Sequence, residues 1–73
     1  MFFNVYKIVP QVKYAFGVAL IAAFTKEDAI KVFCEDDYNK YLYDDFSYSC
    51  EVIPNMNYMT NAPQVIFNCI HDE

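Results

Sequence analysis

The chain has 73 residues, of which 56% are hydrophobic and 21% charged, and its net charge at pH 7 is −5. This balance excludes an intrinsically disordered chain, and the length allows one small domain with a modest core. All five basic residues are lysines. Because phosphate recognition relies heavily on arginine and on positive charge, we expect no direct binding to nucleic acid.

The first third of the chain is predicted to form two β-strands. Residues 2–9 are rich in aromatic and β-branched side chains, and a break is predicted at residues 10–12. Residues 13–24 form the second predicted strand, in which mostly large side chains at even positions alternate with mostly small ones at odd positions. One face of this strand is therefore bulky, and the other is flat enough for a helix to approach closely.

The second strand has a competing interpretation as a targeting signal. Lys7 and Lys13 precede the apolar run 14–24, and Ala23 stands at an acceptable cleavage position. The run is shorter than the roughly 20 residues that cross a bilayer. We interpret it as a buried strand and expect no membrane association.

A helix is predicted directly after the second strand. Thr25 is a good N-cap and Asp28 stands at the capping-box position three residues later. The helix is expected to run to residue 36 or 37. Its apolar stripe has helical spacing and comprises Ala29, Ile30, Phe33 and Cys34.

The second half of the chain is predicted to complete the sheet. Residues 38–46 form either a short helical turn or an irregular connection, residues 47–53 a third strand ended by Pro54, residues 54–63 a loop, and residues 64–71 a fourth strand. The predicted fold is a single α+β domain of order β-β-α-β-β. Its four-stranded, mainly antiparallel sheet would carry one helix on one face.

This sheet has more apolar surface than one helix can cover. The second and fourth predicted strands are apolar on both faces, which is typical of strands buried on both sides. Two ways of burying the remaining apolar surface are possible. The loop 54–63 could fold over the sheet with Met56, Tyr58 and Met59, or a second copy of the chain could pack there. We favour the second copy and predict a homo-oligomer, a homodimer in the simplest case.

Residues 35–51, which we name the acidic segment, are the strongest candidate site. They contain six acidic residues and a single lysine, and four of the seven tyrosines. Tyrosine is enriched at binding hot spots, and carboxylates attract a basic protein surface. The alternative is a solvated helix end whose tyrosines pack on the core. The candidate partner-binding residues are Asp36, Asp37, Tyr38, Tyr41, Tyr43, Asp44, Asp45 and Tyr48.

Sites for catalysis, metals and cofactors have little support in the sequence. The paired aspartates lack the spacing of a calcium loop, and a single glycine excludes a phosphate-binding loop. Cys69 and His71 share a strand face, but no further ligands stand at a recognisable spacing. The three cysteines show no CxxC spacing and fit small apolar residues in a reducing cytoplasm. We therefore expect no enzyme, no metal, no cofactor and a cytoplasmic location.

Residues 5–8, 17–23 and 25–29 resemble small uncharacterised α+β proteins of bacteria and their phages. In those proteins a strand that ends in two alanines leads into a short capped helix. The resemblance covers residues 5–33, and it implies a small α+β fold and a bacterial or phage origin, but no activity.

Three hypotheses of function remain. The first is a non-enzymatic protein-interaction module, such as a phage or mobile-element inhibitor, whose acidic segment docks on a basic partner protein. The second is a small-ligand-binding oligomer with a pocket between subunits, lined by Tyr14, Phe16 and residues 56–59. The third is a small thiol or metal enzyme that uses Cys69 and His71. A protein with no site at all is the remaining alternative.

Overall fold

The structure is a computed structural model that describes residues 1–11, 15–35 and 48–72. Its main sheet has the strand order β4-β1-β3-β5 with every neighbouring pair antiparallel, and α1 packs on β3, β4 and β5. The predicted α+β class and the four-stranded antiparallel sheet with one helix packed on it are therefore confirmed, and β2 and β6 form a second, two-stranded sheet. The elements are β1 (Phe2–Pro10), β2 (Ala15–Phe16), β3 (Ala19–Ala23), α1 (Lys26–Glu35), β4 (Tyr48–Met59), β5 (Gln64–Asn68) and β6 (His71–Asp72).

The core lies between α1 and the small-residue face of β3. Ala19 and Ala23 on β3 are fully buried in one cluster with Ala29 and Phe33 of the helix. Alanine side chains on both elements let the helix backbone approach the sheet closely, as the alternation of large and small residues predicts. The flat face of the second predicted strand is thus the face that the helix covers.

The start of the helix is held by its N-cap. The backbone N–H of Asp28 donates to Thr25 Oγ1 over 3.1 Å, and that of Ala29 donates to the Thr25 carbonyl over 3.0 Å. Thr25 therefore caps the helix as predicted, because its hydroxyl satisfies an N–H that has no partner within the helix. The described helix runs from Lys26 to Glu35, and the predicted end at residue 36 or 37 lies outside the described residues.

Replacing Thr25 with alanine is expected to lower the free energy of unfolding by about 1 kcal/mol, because the Asp28 N–H loses its acceptor. Urea unfolding followed by circular dichroism measures the change. Thr25→Ser keeps the hydroxyl and is the matched control, for which most of the stability should remain. Equal losses in the two variants would show that the cap hydrogen bond does not stabilise the helix.

The second and fourth predicted strands are each divided in two, at the same level of the sheet. Phe16 pairs with His71 on one side of the break and Ala19 pairs with Asn68 on the other, so the register is unchanged across it. Gly17 lies in the break with φ at 111°, a backbone conformation that strains any residue with a side chain. The two continuous strands that the sequence predicts are therefore wrong at this one point.

The predicted end of the third strand at Pro54 is wrong, and of the loop predicted at residues 54–63 only residues 60–63 lie outside a strand. Strand β4 runs from Tyr48 through Pro54 to Met59. The proline is tolerated because β4 is an edge strand, where a missing backbone N–H need not break a ladder. Tyr6 pairs with Val52 and Asn4 with Asn57, so β4 carries three extra residues there as a wide bulge.

The first strand is one residue longer than predicted, because it includes Pro10. It is the last residue of β1, although the sequence analysis places it in the following break. Its partner across β4 is Tyr48, the first residue of that strand. Proline has no backbone N–H to donate, but at the last residue of β1 this removes no hydrogen bond from the interior of the ladder.

The sheet face opposite the helix also contains buried residues. Phe3, Val5 and Ala22 are at most 2% exposed on this face, and the Phe24 ring lies over Phe3 with 4.3 Å between ring centroids. Met56, Tyr58 and Met59, the predicted loop cover, instead belong to β4 and are 45%, 38% and 67% exposed. The segment 54–63 is therefore not a loop that folds over this face.

Candidate functional site

Most of the predicted partner-binding residues cannot be placed. Asp36, Asp37, Tyr38, Tyr41, Tyr43, Asp44 and Asp45 lie outside the described residues. Tyr48 is described and is half-buried at the start of β4, with its ring centroid 5.5 Å from that of Phe33. For this one tyrosine the structure shows packing on the core.

The two residues that flank the undescribed part of the acidic segment lie at one end of the domain. Glu35 ends the helix, and Tyr48 pairs with Pro10 at the end of β1. The last turn of the helix contains no basic residue. Lys31 Nζ lies 3.9 Å from Glu35 Oε1, but both side chains are more than half exposed, and such surface pairs stabilise little. The negative end of the helix dipole thus coincides with the negatively charged side chain of Glu35.

A cleft of about 360 Å³ lies between α1 and the first half of β4. It places one ammonium group and one carboxylate beside an apolar and aromatic surface. Burial raises the pKa of the Cys50 thiol above its ordinary value, and nearby Lys26 lowers it by less. The residues that line the cleft are Lys26, Ile30, Tyr48, Ser49, Cys50 and Glu51. The thiol is therefore protonated at neutral pH and offers no activated nucleophile.

The other two cysteines differ in environment. Cys34 is buried in the helix cluster, and burial raises the pKa of its thiol. Cys69 is exposed, and its Sγ lies 3.4 Å from the Val18 carbonyl oxygen. Within residues 1–11, 15–35 and 48–72, no three His, Cys, Asp or Glu residues are grouped as metal ligands. The small apolar interpretation is confirmed for Cys34 and Cys50, and is wrong for Cys69.

The pocket of the ligand-binding hypothesis is not assembled within one copy of the chain. Tyr14 lies outside the described residues, while Phe16 belongs to β2. Residues 56–59 lie at the opposite end of the sheet, where Met59 pairs with Phe2. About 26 Å of strand separates the two ends of β1, so one small ligand cannot touch both groups in one chain.

A cluster of exposed apolar side chains lies at a position where the sequence alone predicts no site. The start of β1 and the end of β4 meet there, and we name it the apolar end. Its members are Met1, Phe2, Phe24, Met56, Tyr58 and Met59, each at least 38% exposed. The signal in the sequence is the pair of short Met- and aromatic-rich stretches at residues 1–3 and 56–59. Only the β1–β4 register brings these stretches together.

Two further findings bear on the class of protein. In the part of the chain that the structure describes, no helix has the length and apolar character needed to cross a membrane. Comparisons of the chain with protein-family models, curated proteins and solved structures give no match.

Proposed function

We propose that the chain is a non-enzymatic protein-interaction module whose acidic segment binds a basic surface of another protein. The observation that carries the proposal is the distribution of charge. The acidic segment has a net charge of −5, which is the net charge of the whole chain, so the remaining residues balance one another. Such a concentrated field speeds the encounter with a positively charged partner.

The position of the segment strengthens this argument. Acidic residues at the C-terminus of a helix oppose the helix dipole, at a cost of about 0.3–1 kcal/mol each, whereas lysine or arginine there is stabilising. Glu35 occupies this position, and Asp36 and Asp37 follow it in the sequence. Basic side chains from a partner would supply the charge that the helix end lacks. Residues that oppose local stability are expected where function requires them.

Tyr48 gives the proposed surface a fixed point. Its ring packs on Phe33 while the residue stays partly exposed and lines the cleft beside α1. An aromatic side chain that is already held in place loses little conformational entropy when a partner covers it. The proposed partner class is a basic protein, including one that itself binds nucleic acid. Inhibition of such a protein by a phage or mobile-element product is the setting that we propose.

The test compares two variants that each remove four acidic residues. Asp36, Asp37, Asp44 and Asp45 become Asn in the first, whereas Glu27, Asp28, Asp72 and Glu73 become Gln or Asn in the control. Wild-type protein captures partners from the organism that encodes the chain, and each is purified for calorimetric titration at two salt concentrations. We expect a basic partner, binding that weakens with salt, and loss of binding in the first variant alone.

Retained binding in the first variant, or equal losses in both variants, would remove the acidic segment as the binding surface. Circular dichroism of both variants checks that each still folds. The control is expected to lose some stability, because Glu27 and Asp28 lie in the first turn of the helix, where acidic residues are favourable.

A further inference from the structure

The outer edge of β4 is protected against strand pairing along only half of its length. The first half carries the charged Glu51 and ends at Pro54 and Asn55, whose φ is 61°. Charge, proline and a bulge are the devices that keep an edge strand from pairing with another chain. Residues 57–59, beyond the bulge, have neither a charge nor a proline. Among the described residues, no strand pairs with this outer edge.

The unprotected half of the edge coincides with the apolar end. Met59 and its β1 partner Phe2 are both 67% exposed. Phe2 and Met59 lie on the helix side of the sheet, whereas Tyr58 pairs with Phe3 and lies on the other side. Apolar side chains therefore border this edge on both faces. A partner stacked on one face would cover only some of them, but a strand added to the edge brings neighbours to both.

We propose that two copies of the chain associate by antiparallel pairing of residues 57–59 of β4, which joins their sheets edge to edge. The proposal does not rest on the acidic segment binding another protein. A two-fold axis through the sheet near Tyr58 places each apolar end against its copy. Backbone hydrogen bonds supply the pairing, and the apolar side chains on both faces are withdrawn from water.

The available area fits a dimer of this kind. A fully exposed Met, Phe or Tyr presents about 200 Å². The exposed fractions of the six side chains at the apolar end then give about 700 Å² per copy. Two copies would bury up to about 1,400 Å², within the range of about 1,200–2,000 Å² that specific interfaces occupy. Fewer than all six side chains would place the contact at the weak end of this range.

The charge distribution selects this orientation for two like-charged chains. Glu51 pairs with Lys7, four residues along β1 from the Phe3 partner of Tyr58, which is about 13 Å. Antiparallel pairing centred on Tyr58 keeps the two Glu51 residues about 25 Å apart, which is about three Debye lengths at physiological ionic strength. The acidic ends thus point away from each other, so the net charge of the chain hardly opposes the contact.

The test is the mass in solution of three proteins over the micromolar range, measured by sedimentation equilibrium. Wild-type chain is expected to have twice its monomer mass of 8.6 kDa. Met59→Lys places a charge on both sides of the two-fold axis, and we expect the dissociation constant to rise about tenfold or more. Val52→Lys is the matched control, because Val52 is 49% exposed on the same strand but lies on the other side of the bulge from residues 57–59. It is expected to dimerise as wild type does.

Hydrogen exchange at high and low protein concentration tests the geometry. The amides of Asn57 and Met59 are expected to gain protection only in the dimer, whereas the Tyr58 amide faces β1, as does the Thr60 N–H that donates to the Met1 carbonyl. A monomeric wild type, which would leave this edge for a strand of another protein, overturns the proposal. So does a dimer that Met59→Lys leaves intact, or one that Phe67→Lys breaks without any protection at residues 57–59, because packing would then occur through the sheet face.

Discussion

Replacing Gly17 with alanine is expected to lower the free energy of unfolding by about 3 kcal/mol, a large share of the stability of so small a domain. Gly17 has φ at 111°, and a Cβ there would lie 2.3 Å from the carbonyl oxygen of Cys69. The contact is with backbone, so neither side can move without breaking the hydrogen bond from the Cys69 N–H to the Val18 carbonyl. Urea unfolding measures the loss.

The control for Gly17 is the reverse change at the other residue with positive φ. Asn55 has φ at 61° and lies in the exposed bulge of β4, so Asn55→Gly removes a side chain where glycine is at ease. We expect a change within about 0.5 kcal/mol. Unaltered stability in Gly17→Ala would mean that the strands β2 and β6 do not meet at the break as described.

Replacing Phe33 with alanine is expected to cost about 3–5 kcal/mol, which would leave much of the population unfolded at room temperature. Phe33 is fully buried at the centre of the helix cluster, and its ring contacts that of Tyr48. The substitution leaves a cavity between α1 and the start of β4, beside the Tyr48 ring, which the small side chains of Ala19, Ala23 and Ala29 in the same cluster cannot fill. Thermal and urea unfolding followed by circular dichroism give the change.

Phe67→Ala is the matched control for Phe33, because the Phe67 side chain is 49% exposed on the sheet face away from the helix. A loss of about 1 kcal/mol is expected there, since much of this ring already contacts water. Similar losses for the two phenylalanines would contradict the placement of the core between the helix and the sheet.

The helix, and the face of the sheet on which it packs, could be predicted because both depend on residues that are close together in the sequence. Thr25 and Asp28 mark the helix start within four residues, and alternation along β3 shows which face the helix covers. The end of the third strand could not be predicted. Pro54 breaks a central strand but not an edge strand, and the position of β4 in the sheet follows from pairing with residues about 50 positions away.

The candidate site was predictable in composition and not in geometry. Charge counts identify the acidic segment, yet of its predicted binding residues only Tyr48 lies among the described ones. The apolar end has no local signature, because Phe2 and Met59 become neighbours only through the β1–β4 register. Their short stretches look like ordinary strand residues until that register is known.

The sheet order has a consequence for how the chain assembles. Strand β1 has β3 on one side and β4 on the other, with partners such as Asn4 and Ala23 close in sequence and others such as Phe2 and Met59 far apart. Pairing Phe2 with Met59 closes a longer loop of chain than pairing Asn4 with Ala23, and it costs about 1 kcal/mol more in chain entropy. The inner hairpin and the helix after it are therefore the cheaper nucleus. The two outer strands, β4 and β5, then pair last during folding, and β4 is the strand whose outer edge we propose pairs with a second copy.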